Sequence, residues 1–242
     1  MRAYFEYKGV LSTDFYLYIQ NDISFPSPEA DIEFVEIPGR DGELAISNNR
    51  LKGVSFPIPV ILNLPANQTI EDVSTRISNW LKNDIGWYPL RFSGSDDYEY
   101  IALFYEQFDI KENLETYGRT VLNFRLKPYK RLLKDREIAM ENGQTVLNTG
   151  YRQSKPLIEI EAVGDVTLQN NGKDWLILRG VDGSITVDSE MMTVYKGDRL
   201  QADKMIGTLS PMFPLLDIGE NAITWTGNVT RVTITPRWEA VM

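Results

Sequence analysis

The last thirty residues, from Phe213 on, constrain the fold most, because they hold two runs whose side chains alternate in a pattern that suits a strand. Successive side chains of a strand point to opposite faces, so every second residue shares a face. Ile223 and Trp225 thus fall on one face. Further on, Val229, Arg231, Thr233 and Thr235 share one face, and Thr230, Val232, Ile234 and Pro236 share the other. Gly227-Asn228 between the two runs reads as a hairpin turn. Such a pair closes a sheet, and it carries almost no group able to do chemistry.

The same period recurs along the chain. Residues 10–19 read as an early strand-and-turn region rich in aromatics. Residues 32–37 alternate as a half-buried strand does, and the turn formers Pro38-Gly-Arg-Asp-Gly42 follow. Residues 54–64 read as a bent or edge strand, because Pro57 and Pro59 lie inside it. One helix is expected. Thr69 with Asp72 three residues later resembles a capping box, and Glu71 and Asp72 suit the positive end of the helix dipole. Ile70, Val73, Ile77 and Trp80 or Leu81 then recur at helical spacing, and the helix should end near Asn83-Asp84. Residues 90–104 read as a hairpin around Ser93-Gly-Ser-Asp-Asp97, and residues 119–126 as the next strand. After the charged stretch 130–136, short strands are expected at 144–148, 157–162, 166–170, 175–178 and 185–187. Asn170-Asn-Gly-Lys173 and Val181-Asp-Gly183 read as hairpin turns between them. The expected fold is mainly β: one helix among strands over residues 1–134, then an all-β sandwich over residues 135–242.

Composition removes most catalytic chemistry. The 242 residues include no cysteine and no histidine. Disulfides, zinc thiolates, Ser-His triads and imidazole relays are therefore excluded. Paired carboxylates, Lys or Tyr bases and an all-oxygen metal site remain. With 34 Asp and Glu in the chain, a suggestive acid pair carries little information about a glycosidase. The net charge of −9 argues against sustained binding of nucleic acid, and the short basic run Lys127–Lys134 reads as a solvated linker. No apolar run approaches the roughly 20 residues that cross a bilayer, so no membrane insertion is expected. Residues 1–8 lack the apolar core of a signal peptide, so synthesis in a cytosol is expected.

The candidate motifs read mostly as architecture. Pro38-Gly-Arg-Asp-Gly-Glu-Leu44 fits neither a P-loop nor a dinucleotide fingerprint, and a tight turn at a strand or subunit contact suits it better. The acids of Asp182-Gly-Ser-Ile-Thr-Val-Asp188, with Ser189 and Glu190, lack EF-hand spacing. Trp175, Trp225 and Trp238 suit a core better than a sugar-stacking platform. No catalytic residue, metal or cofactor is expected.

Taken in order, several motifs resemble the distal tail proteins (Dit) of siphophages and prophages of Gram-positive bacteria. They are Ile37-Pro-Gly-Arg-Asp-Gly-Glu-Leu44, Leu122-Asn-Phe-Arg-Leu-Lys-Pro-Tyr-Lys130, Asn148-Thr-Gly with Lys155-Pro-Leu-Ile-Glu-Ile160, Ile185-Thr-Val-Asp-Ser-Glu190 with Val194-Tyr195, Gly219-Glu-Asn-Ala-Ile-Thr-Trp225, and Pro236-Arg-Trp238. The resemblance implies an N-terminal split β-barrel carrying one α-helix and a C-terminal galectin-like β-sandwich. It also implies a homohexameric ring in the virion, at the tail tip, joining the tail tube protein to the tail-tip (tail-associated lysin) protein. Tape measure and receptor-binding or baseplate proteins are further neighbours, and DNA passes only in transit. An acidic subunit suits such a channel, since like charge prevents sticking. Ring contacts are expected at Arg40 and Asp41, at Ile37 and Phe34 of the preceding strand, and at Phe56 of the strand 54–64. The competing reading is a carbohydrate-binding module that contacts host cell-wall sugars.

Overall fold

The computed structural model describes residues 3–20, 23–95, 97–114, 117–133, 137–207 and 209–242. The chain divides into two compact units, Met1–Arg131 with Val241–Met242, and Leu132–Ala240.

The first unit is built from β1 (Phe5–Tyr7), β2 (Val10–Leu11), β3 (Leu17–Ile19), β4 (Ala30–Glu36), β5 (Glu43–Leu51), β6 (Val54–Asn63), α1 (Ile70–Lys82), β7 (Tyr88–Phe92), β8 (Tyr98–Leu103), β9 (Lys111–Leu114) and β10 (Tyr117–Leu132). Its main sheet has the order β2-β1-β7-β8-β10-β6-β3, with β9 beside β10, and it curls into a half-barrel. The helix starts where expected. Thr69 is extended, and its Oγ1 accepts the Asp72 N–H at 3.2 Å. Val73, Ile77 and Leu81 are fully buried against Phe5, Tyr7, Phe56 and Phe124 of the sheet. Each such side chain contributes about 1.5–3 kcal/mol by leaving water. Trp80 stacks on Phe15 at 4.6 Å and donates its Nε1–H to the Tyr7 carbonyl at 3.2 Å.

Strand β6 is covered by β3 only over Val60–Leu62, so its earlier part, with Pro57, is an edge of the sheet as expected. It lies between β10 and β3 and buries Val54, Phe56, Ile58, Val60 and Leu62 on one face. Its prolines are tolerated for a local reason. The Pro59 carbonyl accepts the Gln20 N–H at 3.0 Å, so that residue faces the β3 side. Pro57, two residues earlier, faces the same way, beyond the part of β6 that β3 covers. Neither missing N–H is therefore needed by β10. The basic run from Lys127 is no linker. As far as Leu132 it continues β10, with the Lys130 ammonium 3.9 Å from the Tyr98 ring centroid; Lys134 lies outside the described residues.

The second unit contains β11 (Ile138–Met140), β12 (Thr145–Asn148), β13 (Leu157–Asn170), β14 (Lys173–Asp188), β15 (Thr193–Lys196), β16 (Arg199–Leu200) and β17 (Gly219–Thr235); the last strand, β18 (Glu239–Val241), pairs with β10. The order is β11-β17-β13-β14-β15-β16, with β12 on β17. Strands expected to be separate prove continuous. Segments 157–162 and 166–170 are one strand, β13, and segments 175–178 and 185–187 are one strand, β14. The hairpin expected at Gly227-Asn228 is the single strand β17. Gly227 marks a bulge. Thr226 pairs with Thr167, while Asn228 pairs with Val163. Gly227 has φ +106°, and a Cβ there would lie 2.3 Å from the Asp165 carbonyl oxygen. Val181-Asp-Gly183 also sits inside a strand. One core takes Ile158 and Leu168 from β13, Leu176 and Val187 from β14, and Ile223 and Val232 from β17. Strands β13, β14 and β17 thus share a single core.

Asn171-Gly172 is the expected two-residue turn, with φ of 51° and 76°. The Asn171 amide accepts the Ala222 N–H at 3.0 Å and donates to the Glu220 carbonyl at 3.0 Å. Asn142, before Gly143, treats the same strand alike. It accepts the Trp225 N–H at 2.9 Å and donates to the Trp225 carbonyl at 3.0 Å.

Candidate functional site

Strands β4 and β5 form a sheet of their own, an antiparallel ribbon separate from the main sheet of the first unit. The expectation of a half-buried strand at 32–37 is met in conformation but not in burial. Except for Asp31, Val35 and Leu51, every residue of the two strands is exposed. Directly opposed residues share a face, which assigns the side chains. Phe34 lies opposite Ala45 and Ile32 opposite Ser47 on one face; Val35 lies opposite Leu44 and Glu33 opposite Ile46 on the other. Both faces are thus partly apolar, with Phe34 61% exposed and Ile32, Leu44 and Ile46 also exposed. An isolated two-stranded ribbon is marginally stable in water, and exposed apolar faces of this kind mark interaction sites.

The ribbon's base is tied by ion pairs, Arg50–Asp31 at 2.5 Å and Lys52–Glu29 at 3.0 Å. The Arg50 guanidinium holds the Asp31 carboxyl below the usual carboxylate range. At the tip, the Ile37 carbonyl accepts the Arg40 N–H at 3.1 Å, and Gly39 and Gly42 take φ near +80°. Glu36 lies opposite Glu43, an arrangement that disfavours the ribbon alone. Among the described residues neither acid has an ion-pair partner, nor does Arg40 or Asp41.

The residues singled out from sequence separate into two groups. Phe34, Ile37, Arg40 and Asp41 come together on this ribbon and its tip. Phe56 does not join them: it is 0% exposed, inside the core of its own unit, packed against Phe92 at 5.6 Å. Leu44 and Ile46 were missed, although Glu43-Leu-Ala-Ile-Ser47 alternates and follows a turn, which is the pattern of a returning strand.

The other motifs have structural work to do. Asp188 is held by Arg237 through two bonds of 2.7 and 2.9 Å, and its Oδ1 accepts the Glu190 and Met191 N–H groups. Trp175 and Trp238 are buried, the former donating to the Leu215 carbonyl at 2.8 Å, and Trp225 packs partly buried against the same core. Ser93 accepts the Tyr4 N–H. Among the described residues no group of three or more Asp and Glu is gathered as a metal site would need.

Residues 10–126, which include the ribbon, match the family model of the phage tail protein RIFT-related domain. The chain as a whole is similar in structure to the Dit protein of phage SPP1, described as a paradigm of the hub adsorption apparatus in phages that infect Gram-positive bacteria. The TM-score is 0.69 at 17% identity, over 97% of this chain and 98% of that one. What is shared at that identity is the fold. No curated protein matches the sequence.

Proposed function

We propose that the chain is a structural distal tail protein, six copies of which form a ring joining the tail tube to the tail-tip protein of a siphophage or prophage. Residues 1–134 build the ring and residues 135–242 form the peripheral sandwich. Its work is association rather than turnover. The observation that carries this reading is the β4–β5 ribbon, which leaves apolar groups on both faces uncovered inside the span matched to a tail domain. The self-association is heterologous: the ribbon of one copy meets a different surface of the next, and such contacts close when the rotation per step closes. Phe34, Ile37, Arg40 and Asp41 are the contact residues, joined by Leu44 and Ile46. The Glu36–Glu43 pair seeks a cation on the neighbour. Tape measure and receptor-binding or baseplate proteins would flank the ring.

Light scattering after size-exclusion chromatography tests this, with the tail tube and tail-tip proteins added in a second run. The expected species has six times the 27.7 kDa mass of the chain. A protein that stays monomeric alone and with both partners overturns the reading.

A further inference from the structure

We infer that the second unit carries a binding site for a phosphate ester, in a cleft between the middle of β14 and the β15–β16 hairpin. The inference is independent of the ring, and the cleft lies beyond the residues matched to the tail domain. The cleft measures about 420 Å3 and is lined by Val181, Asp182, Ser184, Ile185, Lys196, Arg199, Gln201 and Lys204. That volume is within the range of small-molecule sites, roughly 300–1,000 Å3. Three cations and one acid face it in a chain whose net charge is −9. The local excess of two positive charges runs against the global balance.

The cations are arranged rather than scattered. The Lys204 ammonium donates to the Gly180 carbonyl at 2.7 Å, and the Lys196 ammonium donates to the Asp182 carbonyl. Carbonyls position an ammonium without neutralising it, and each ammonium keeps two further N–H donors. A Cβ at Gly180 would stand 3.5 Å from the Lys204 Nζ, and one at Gly183 would stand 3.6 Å from the Lys196 Nζ. Both are ordinary contact distances; the glycines are there because the strand takes φ of +56° and +84° at these positions, which turns the Gly180 and Asp182 carbonyls to the two ammonium groups. The strand itself is held: the Asp165 carboxylate accepts the Gly180 N–H at 2.9 Å and pairs with Arg179 at 2.7 Å. On the opposite wall the Gln201 N–H donates to the Val194 carbonyl at 2.7 Å, and the Ile206 N–H to the Ile177 carbonyl at 2.9 Å. Arg199 has no partner among the described residues. Its fork can take two oxygens of one phosphate, while the lysines act as point charges.

The charge selects the ligand. A phosphate monoester carries about −1.5 to −2 at pH 7, which matches the excess of two; in a polyol-phosphate chain, whose phosphates are diesters of one charge each, two neighbouring phosphates supply the same charge. The hydroxyl of Ser184 and the amide of Gln201 suit hydroxyls on the carbon chain bearing the phosphate. The floor of Val181 and Ile185 is buried and apolar. The shared chemistry is thus a phosphate on a polyhydroxyl carrier, from either a free monoester or a repeating polyol-phosphate chain.

Calorimetric titration of the full-length protein with inorganic phosphate, glycerol 3-phosphate, poly(glycerol phosphate) and neutral glycerol tests the site. The phosphates should bind and glycerol should not, with affinity falling as salt rises. Arg199→Gln, which removes no contact within the protein, should weaken phosphate binding about tenfold or more, and Lys196→Gln with Lys204→Gln should do the same. Tighter binding per phosphate by the polymer than by glycerol 3-phosphate identifies a chain as the ligand; equal binding identifies the monoester. The inference is overturned if no phosphate binds up to about 10 mM, if Arg199→Gln leaves binding unchanged, or if an oligoglutamate peptide binds more tightly than any phosphate.

Discussion

Asp188 and Arg237 join the two ends of a loop-rich stretch of the second unit, and both side chains are largely withdrawn from water, 9% and 18% exposed. Burial alone would push the Asp188 carboxyl up. The Arg237 guanidinium and the N–H groups of Met191 and Glu190 outweigh it and hold the carboxyl below the usual carboxylate range. Because the folded value lies below the unfolded one of about 3.9, the pair stabilises the protein fully above that value. Its contribution is lost as pH falls through the lower, folded value. Arg237→Met should cost roughly 2–3 kcal/mol at pH 7, since it leaves a buried carboxylate unpaired. The difference from the wild type should shrink towards pH 3 or below, as measured by urea unfolding at the two pH values. Gly227 poses a second test at this scale. Gly227→Ala meets both a positive φ and a backbone oxygen 2.3 Å away. It should lower stability by about 2 kcal/mol or more. Gly42→Ala, at φ +82° with open space around it, meets the backbone strain alone and should cost about 1–2 kcal/mol, less than Gly227→Ala in the same unfolding measurement.

At the scale of elements, the β4–β5 ribbon separates folding from assembly. Phe34 and Ile46 touch no core, so Phe34→Glu with Ile46→Glu should leave the melting temperature within a few degrees of the wild type. The same double variant should abolish the large species in light scattering. A variant that still forms it would remove the ribbon from the interface. Helix α1 was legible in sequence because its cap, its acidic first turn and its stripe all speak locally, and local signals suffice for a helix. The long strands of the second unit were not. A Gly-Asn or Asp-Gly pair satisfies a turn and a bulge equally, and only the partner strand decides between them. At Gly227 the decision rests with the Asp165 carbonyl, 62 positions away in sequence. Pro57 and Pro59 spoke truly of an edge, but only of part of one: both turn away from β10, towards the side that β3 covers only over Val60–Leu62. Proline signals a missing donor, but whether a neighbour needs that donor depends on how far β3 extends.

For the molecule as a whole, the pervasive alternation indicated a mainly β architecture with one helix, and the structure has one. The candidate surface was half legible. Phe34, Ile37, Arg40 and Asp41 could be found because strand and turn signals meet there. That both faces of the ribbon would lie bare could not be read, since a period of two looks the same whether or not a second layer covers it. Phe56 shows the converse, an aromatic on a strand that its own unit buries completely. A last consequence concerns chemical ageing. The chain contains two Asn-Gly dipeptides, at 142–143 and 171–172, and this pairing is prone to deamidation because the glycine nitrogen readily attacks the asparagine carbonyl carbon. In both, the amide is gripped at oxygen and nitrogen by the backbone of β17. Attack requires that grip to open. Peptide mass spectrometry should find both asparagines intact for long periods in the folded protein and quickly converted after denaturation, so that slow loss of either amide becomes a clock for local opening of β17.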